Sequence, residues 1–394
     1  MQRDISHYFD WAATSPADED IVKQALETSL EVFANPSSQH SEGAKARKLL
    51  ETARENAAQV MGVNANTLFF TSGGTESNHI ALLSVLSRPQ QKGSIIISAI
   101  EHPAIREQAN ALKNCGWEVI SVLPDKNGIV SAKNVTEKIK DDTALVCFMA
   151  VNNETGAIQP IYEIADAITQ ACKGKRKPKF HVDCVQGAGK IEINLAHKGI
   201  DSASFSAHKI CGPRGIGLLY LANEITPFMR GGGQEKGVRS GTENIFGAIA
   251  FSQCLERYWI SSKNTAALER LGKQREYTKD FIQKLAGLPF CSIIPENRTD
   301  DTLEENFSPW VLQASFENIP GQVMVRALDA KGFYISTGSA CSASKQSRPI
   351  LEAMNVRSDL RQNAVRFSFG VHTTKESMNE LFSAVKEIGE TFNQ

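Results

Sequence analysis

Lys209 and Asp183 are the residues whose types and spacing first suggest chemistry in this chain. Lys209 closes the segment 205–209, Phe-Ser-Ala-His-Lys, and follows Asp183 by 26 positions (209 minus 183). A lysine amine can form a Schiff base with an aldehyde, and an upstream carboxylate can keep a pyridinium nitrogen protonated. The pair therefore predicts pyridoxal phosphate chemistry. Most lysines are solvated surface charges, so the prediction needs support from other parts of the sequence.

A glycine-containing segment has the composition of a phosphate-binding turn. Residues 71–77 read Thr-Ser-Gly-Gly-Thr-Glu-Ser, follow a short apolar run and open a helical pattern. Glycines allow backbone N–H groups to approach a phosphate at the positive end of a helix, and Thr75 adds a hydroxyl. An ordinary tight turn between a strand and a helix has the same composition. Gly74 and Thr75 are therefore candidate phosphate ligands.

Polar residues after two other predicted strands are candidates for contact with a bound ring. His102 stands in the segment 100–103, Ile-Glu-His-Pro. An imidazole there can stack on a cofactor ring and exchange protons near neutral pH, although a lone histidine is more often structural. Asn153 follows the most apolar strand of the chain, and a simple polar turn is the alternative for that segment.

Two residues nearer the C-terminal end suit catalysis and substrate binding. Cys341 lies in the segment 336–342, Ser-Thr-Gly-Ser-Ala-Cys-Ser, whose small residues suit a mobile loop that carries a nucleophile inward. A free cysteine is usually a buried apolar residue, but no apolar run surrounds this one. In the segment 365–369, Val-Arg-Phe-Ser-Phe, alternation places Arg366 opposite the apolar face, where a guanidinium can clamp a carboxylate. A solvated arginine on a sheet face is the alternative.

The elements that position these residues alternate between helix and strand over the first two-thirds of the chain. Apolar residues at helical spacing predict a helix over 41–61, with Gly62 as its C-terminal cap. The pattern predicts an α/β fold with a mostly parallel sheet covered by helices on both faces, and ligands in such sheets bind beyond the carboxyl ends of the strands. The predicted strands cover residues 68–71, 94–98, 117–122, 144–151, 180–183, 202–206 and 216–221.

The character of the sequence changes after about residue 265. A polar helical stretch precedes a predicted strand over 310–316, a helix over 323–330, a strand over 364–369 and a final amphipathic helix. This order is typical of a smaller α+β domain. We therefore predict a large cofactor-binding domain over 16–262 and a small domain formed by 1–15 together with 263–394, which carries the Cys341 loop.

Composition and charge restrict the class of protein. The 394 residues are 41% apolar and 22% charged, which is typical of a soluble globular chain with a large core. The 43 basic and 44 acidic residues give a net charge of −1, which offers no general attraction to nucleic acid or to an anionic membrane. No segment approaches the ~18 consecutive apolar residues of a membrane span, and residues 1–7 lack the apolar region of an export signal. The eight cysteines form no Cys-x-x-Cys pair, so neither a metal site nor a disulfide framework is predicted, and a cytoplasmic enzyme fits best.

Taken in order, these motifs resemble the cysteine desulfurases of the NifS/IscS type, in the class V aminotransferase group of fold type I pyridoxal phosphate enzymes. The resemblance runs through nearly the whole chain, from residues 9–14 and 35–40, through 231–235 and 239–244, to 365–370. It implies conversion of L-cysteine to L-alanine, with the sulfur taken up by Cys341 as a persulfide. It also implies sulfur acceptors such as iron–sulfur scaffold or tRNA-thiolation proteins.

The resemblance also assigns roles around the cofactor ring. Lys209 would attach the cofactor and remove the substrate Cα proton, and Asp183 would hold the pyridine nitrogen protonated. His102 would stack over the ring and move protons. Gln186 and Asn153 would hydrogen-bond the phenolic oxygen.

Further roles concern the substrate and the phosphate. Arg366, together with Asn153, would bind the substrate, with the guanidinium on its carboxylate. The resemblance assigns the cofactor phosphate to Thr75, Ser206, His208 and, from a second subunit, Thr242. Gly74, beside Thr75 in the same turn, is also a predicted cofactor-binding residue. Because each site would be incomplete without Thr242 of another copy, the resemblance implies an obligate homodimer.

Some departures and alternatives stay open. Cys184 and Cys211 add thiols where the family usually has none; packing substitutions and a redox-sensitive site are the two interpretations. A selenocysteine lyase shares the scaffold and cofactor. A class V aminotransferase or β-lyase would leave Cys341 incidental, and a non-catalytic sulfur-relay or scaffold protein would use the fold for binding alone.

Overall fold

The strands form two sheets. The structure is a computed structural model that describes residues 5–88, 92–338 and 348–393. In these ranges the strands are β1 (Leu68–Thr71), β2 (Ser94–Ser98), β3 (Glu118–Val122), β4 (Thr143–Met149), β5 (Lys179–Asp183), β6 (Ser202–Ser206), β7 (Gly217–Leu221), β8 (Cys291–Ile294), β9 (Val311–Phe316) and β10 (Ala364–Ser368). The large sheet has the order β1-β7-β6-β5-β4-β2-β3, and the small sheet has the order β10-β9-β8.

Helices cover both sheets. Their bounds are α1 (Glu19–Glu31), α2 (Ser41–Met61), α3 (Gly74–Leu83), α4 (Pro103–Asn114), α5 (Ala132–Thr136), α6 (Ile161–Ala171), α7 (Ile245–Tyr258), α8 (Thr265–Ala286), α9 (Gly321–Ala330), α10 (Pro349–Ala353), α11 (Ser358–Asn363) and α12 (Lys375–Phe392). Within the described residues, none of these helices combines the length and the apolar character needed to cross a membrane.

The large sheet is mostly parallel, as predicted. The strands β2, β3, β4, β5 and β6 pair in parallel, while β7 runs antiparallel to both β1 and β6. Ile96 of β2 belongs to one hydrophobic core, and its neighbours Ile95 and Ile97 belong to another on the opposite face. Alternate residues of one strand can be buried on opposite faces only when helices cover both. The α/β fold predicted from the sequence is therefore confirmed.

The direction of the strands collects the candidate residues at one edge of the large sheet. Because β7 is antiparallel to β1 and to β6, β1 runs in the same direction as the parallel strands. The carboxyl ends of β1, β2, β4, β5 and β6 therefore meet at one edge. These strand ends and the segments that follow them carry Gly74, His102, Asn153, Asp183 and Lys209.

The small sheet has its own core, to which the N-terminal segment contributes. Val365 and Phe367 of β10 pack with residues of α8, α9 and α12, and Phe9 lies in the same core. Phe9 also accepts a backbone hydrogen bond from Ser368, at 2.8 Å. These contacts agree with the proposed small domain, although its boundaries after residues 15 and 262 stay a prediction.

Most element predictions are accurate to one or two residues. The helix predicted over 41–61 is α2, and Gly62 ends it in the left-handed conformation at φ 69°. β8 was not predicted, because Cys291-Ser292-Ile293-Ile294 is too short for a clear pattern and only its last two residues are buried.

Candidate active site

A cavity of about 240 Å³ opens at the carboxyl edge of the large sheet. Of the predicted site residues that the structure describes, all except Thr242 line it. The lining residues are Ala12, Ala13, Gly74, Thr75, Asn78, His102, Ala104, Met149, Val151, Asn153, Asp183, Val185, Gln186, Ser206, His208, Lys209 and Arg366. Residues from both sheets and from the N-terminal segment thus meet at one site.

Lys209 points its amine into this cavity. It ends a short turn that directly follows β6, so its backbone position is fixed by the sheet. Its Nζ donates to the carbonyl oxygens of Ala12 and Ala13, at 2.7 and 2.8 Å. The N-terminal segment therefore holds the amine through backbone carbonyl oxygens. These oxygens carry no full charge, so the amine can leave them for another partner without leaving an unpaired ionised group behind.

Asp183 lies at the end of β5 and is held by two donors. Its Oδ1 accepts from the backbone N–H of Val185 at 2.9 Å, and its Oδ2 accepts from Nδ2 of Asn78 at 2.9 Å. The carboxylate is 5% exposed. A buried, hydrogen-bonded carboxylate in a cavity is the group that a pyridinium nitrogen requires as its partner.

Asn78 is a site residue that the sequence interpretation missed. Its Oδ1 accepts from Nε2 of His181 at 2.8 Å and from Oγ of Ser204 at 2.6 Å, which leaves its amide nitrogen for Asp183. Asn78 lies on α3, three residues after Thr75 and on the same helix face. A polar residue at that spacing from the predicted phosphate turn was the available signal.

The predicted phosphate end of the cavity lies at the N-terminus of α3. Gly73 caps this helix with no side chain, and its φ of 154° is one that residues with a Cβ avoid. The N–H groups of the first turn therefore face an uncapped helix end beside Thr75, Ser206 and His208. Burial first, and then the nearby Lys209, lowers the pKa of His208 to about 3, so this imidazole is neutral at pH 7.

His102 is also neutral at pH 7. It is the N-cap of α4, where its Nδ1 accepts from the backbone N–H of Ala104 at 3.1 Å. Burial is the largest influence and lowers its pKa, against an opposing attraction from Asp183. A neutral imidazole fixed by one nitrogen leaves the other nitrogen available for proton exchange in the cavity.

Arg366 is buried, not solvated. Only 2% of the residue is exposed, so the alternative of a solvated arginine on a sheet face is wrong. Its guanidinium donates to the backbone carbonyl of Asn153 at 3.0 Å and to Oδ1 of Asp10 at 2.8 Å. Asp10 belongs to the motif of residues 9–14, and the sequence does not predict its contact with Arg366.

The lining of the cavity does not include Thr242, Cys184 or Cys211. Thr242 is exposed and does not line the cavity of its own chain, and Cys341 lies outside the described residues. Cys184 is fully buried and Cys211 is 4% exposed, and burial raises the pKa of both thiols. A buried neutral thiol oxidises slowly, which favours the packing interpretation.

The residues of the cavity fit pyridoxal phosphate. Among the described residues, the buried atoms Oδ1 of Asn153 and Nε of Arg366 have no hydrogen-bond partner. Both residues line the cavity, and such atoms are retained where a ligand completes them. An amine, a buried carboxylate and an uncapped helix N-terminus supply what an aldehyde, a pyridine nitrogen and a phosphate each require.

Acidification is expected to destabilise the cofactor-free protein through His181. Burial lowers the pKa of this fully buried histidine to about 3. Below pH 6.5 His181 binds a proton in the unfolded chain but stays neutral in the folded protein. The free energy of unfolding therefore falls by roughly 1.4 kcal/mol for each pH unit of acidification. Urea unfolding at pH 7.5, 6 and 5 measures this dependence, and the free energy of unfolding should fall less steeply with decreasing pH in His181→Asn than in the wild type. Above pH 7 the free energy of unfolding should change with pH equally in the two proteins. An equal change with pH below pH 6.5 as well would contradict the assignment.

Comparisons with known proteins agree with this geometry. The family described as Aminotransferase class-V matches residues 7–381. The chain is 34% identical over 392 residues to the cysteine desulfurase IscS of Dictyoglomus turgidum, covering 98% of this chain and 95% of that protein. A solved NifS-like protein superposes with a TM-score of 0.87 at 33% identity, over 98% of this chain and 99% of the other. SspA in complex with cysteine superposes with a TM-score of 0.78 at 29% identity, over 93% and 100%.

Proposed function

This chain belongs to the class V aminotransferase family and is a cysteine desulfurase of the NifS/IscS type, and from that premise we propose that it converts L-cysteine to L-alanine and receives the sulfur on Cys341. The observation that carries the proposal is the meeting of Lys209, Asp183 and Arg366 in one cavity. These residues come from two sheets and lie up to 183 positions apart (366 minus 183). Their convergence is what amino-acid chemistry on pyridoxal phosphate requires.

The residues that would hold the cofactor follow from the cavity. Lys209 would attach it, and Asp183 would pair with its pyridine nitrogen. The uncapped N-terminus of α3, with Thr75 and Ser206, would receive its phosphate. When bound, pyridoxal phosphate supplies an electron sink that stabilises negative charge at the substrate Cα.

The protein's own groups bind the substrate and move the proton. Arg366 is suited to the α-carboxylate of L-cysteine, because its Nε is buried without a hydrogen-bond partner among the described residues. Nζ of Lys209 takes the proton from the substrate Cα. His102, neutral at pH 7, is available to hold a proton close to the substrate sulfur.

The sulfur step exchanges one bond for another. The bond between Cβ and sulfur of the substrate breaks, and a sulfur–sulfur bond to Cys341 forms. The Cys341 sulfur and the substrate sulfur are each oxidised by one electron and the substrate Cβ is reduced by two, so thiol and L-cysteine become persulfide and L-alanine with no external oxidant. The thiolate is the attacking form, and its proton passes to a base of the site.

We also propose a homodimer that delivers sulfur in the cytoplasm. Thr242 is exposed on the protein surface, as a residue that serves a second copy must be. Exposed apolar side chains at Leu30 and Phe33 offer area for such contact. The seven described cysteines are all free, which suits a reducing compartment. The acceptor would be an iron–sulfur scaffold or a thiolation protein.

The test is an assay of both products. The purified dimer, loaded with pyridoxal phosphate and given L-cysteine with a thiol reductant, should release sulfide and L-alanine in equal amounts. A selenocysteine lyase would instead turn over selenocysteine and leave L-cysteine untouched. Release of pyruvate and ammonia in place of L-alanine would indicate a β-lyase and contradict the proposal.

A further inference from the structure

Lys190 is a buried lysine that the proposed reaction does not use. It lies four residues beyond Gln186 and is 6% exposed. Burial first, and then repulsion from Lys209 and Arg366, lowers the pKa of its ammonium to about 7. Among the described residues, the groups that act on its charge are Lys209, Arg366 and Cys211, none of which is a carboxylate. An ordinary structural lysine keeps its charge in water, so this position calls for another explanation.

The contacts of Lys190 lead directly to the cavity. Its Nζ donates to Oε1 of Gln186, and Nε2 of Gln186 donates to the carbonyl oxygen of Ala12 at 2.8 Å. A carbonyl oxygen only accepts, so Ala12 takes the Nε2 end of the carboxamide, and Oε1 faces Lys190, whose Nζ has an N–H to donate in either protonation state. Trp310 donates from Nε1 to the backbone oxygen of Lys190 at 3.2 Å and holds it in place.

One amide N–H of Gln186 remains for a bound group. The carboxamide nitrogen carries two hydrogens, and Ala12 takes one of them. Gln186 lines the cavity, so the other is available there. If the carboxamide rotated by a half-turn, the cavity would meet an acceptor in place of a donor.

We propose that Lys190 is a positioning residue: by holding Oε1 of Gln186, it keeps an amide N–H of Gln186 available to the phenolic oxygen of pyridoxal phosphate. The proposal rests on the proposed function, because it requires that cofactor. A donor at the phenolic oxygen favours its ionised form. The bound cofactor should therefore lose its proton, and change its visible absorption, at a lower pH than it would without Lys190.

Two effects of Lys190 must be separated. The charge of Lys190 interacts electrostatically with Lys209, Arg366 and Cys211. Loss of this positive charge alone would therefore also change the pH midpoint of the absorption. An effect that passes through Gln186 disappears when the Gln186 side chain is absent, whereas a direct charge effect stays. A double-mutant cycle makes this distinction.

The experiment compares Lys190→Met in the wild-type and Gln186→Ala backgrounds of the loaded enzyme. Methionine has a similar length and donates no hydrogen bond. In the wild-type background we expect the pH midpoint to rise by about one pH unit and the cofactor to dissociate about tenfold faster. In the Gln186→Ala background the same change should have little further effect. Lys140→Met, which removes a surface lysine paired with Glu118, is the matched control and should change neither quantity.

Three outcomes would overturn the proposal. The first is an unchanged pH midpoint of the absorption in Lys190→Met, and the second is an equal shift of that pH midpoint in both backgrounds. The third is a lower temperature of unfolding as the only effect of Lys190→Met. Should Lys190→Met fail to fold, Lys190→Gln, which keeps an N–H donor without the charge, takes its place and should retain most of the wild-type midpoint. None of these readouts uses L-cysteine turnover. A failure of the proposed function would therefore appear in the product assay and not here.

Discussion

Lys209→Ala should lower the turnover of L-cysteine by at least about 10³-fold. The substitution removes both the amine that attaches the cofactor and the base that takes the Cα proton. We expect the fold to survive, because the N-terminal segment that accepts from the Lys209 amine at Ala12 and Ala13 is also held by the backbone hydrogen bond from Ser368 to Phe9. We therefore expect folded protein with the cofactor bound noncovalently, measured as alanine formation and as cofactor lost on gel filtration.

Lys209→Arg is the control that separates charge from chemistry. Arginine can donate to the same two carbonyls and stays charged, but it neither attaches the cofactor nor removes a proton at neutral pH. Both variants should be equally inactive. Borohydride reduction of the loaded wild type should fix the cofactor on the peptide that contains Lys209. Fixation on Lys190, which contacts the cavity residue Gln186, would contradict the assignment, as would retention of a tenth of the activity by Lys209→Ala.

The fold could be predicted because its signals are local and repeated. The parallel strands are short apolar runs between helical patterns, and α2 ends at a recognisable glycine cap, Gly62. The antiparallel placement of β7 between β1 and β6 could not be predicted. Strand order depends on packing between segments more than a hundred residues apart, which no local pattern records.

The site residues that could be predicted from the sequence are those whose type and motif indicate a specific chemical role. Lys209, Asp183 and Arg366 belong to motifs with recognisable roles, and the structure brings them to one cavity. Asn78 and Lys190 were missed because their importance lies in what they contact. An asparagine in a helix and a lysine after a strand look ordinary in sequence, and only the folded chain shows Asn78 against Asp183 and Lys190 against Gln186.

The segment that contains Cys341 lies outside the described residues, but its two flanks are fixed beside the cavity. Ser336 exchanges backbone hydrogen bonds with Arg366, a residue that lines the cavity. On the other side, Arg348 donates to the carbonyl of Thr337 and, at 2.8 Å, to that of Ala364. Cys341 follows Gly338 by three residues, which span at most about 11 Å of extended chain. Delivery of the Cys341 thiol to the substrate stays part of the proposed function.

Cys341→Ser should lower the release of both sulfide and alanine by about 10³-fold or more. A serine hydroxyl is a poor nucleophile at neutral pH and cannot form a persulfide. The cofactor and the Cα proton are handled by Lys209, so binding of L-cysteine should still change the visible absorption of the cofactor. Stopped-flow absorption and product analysis of the same samples measure the two halves of the reaction separately.

The pattern of loss in Cys341→Ser decides between the competing functions. A desulfurase loses sulfur removal and keeps the spectral response, because Cys341 acts only after the proton has moved. An aminotransferase or β-lyase would keep its products, since neither chemistry needs a thiol acceptor. A non-catalytic relay protein would show no turnover even with Cys341 present. Cys115→Ser removes an exposed cysteine remote from the motifs and should behave as wild type, so a similar loss in that variant would indicate a general effect of thiol removal.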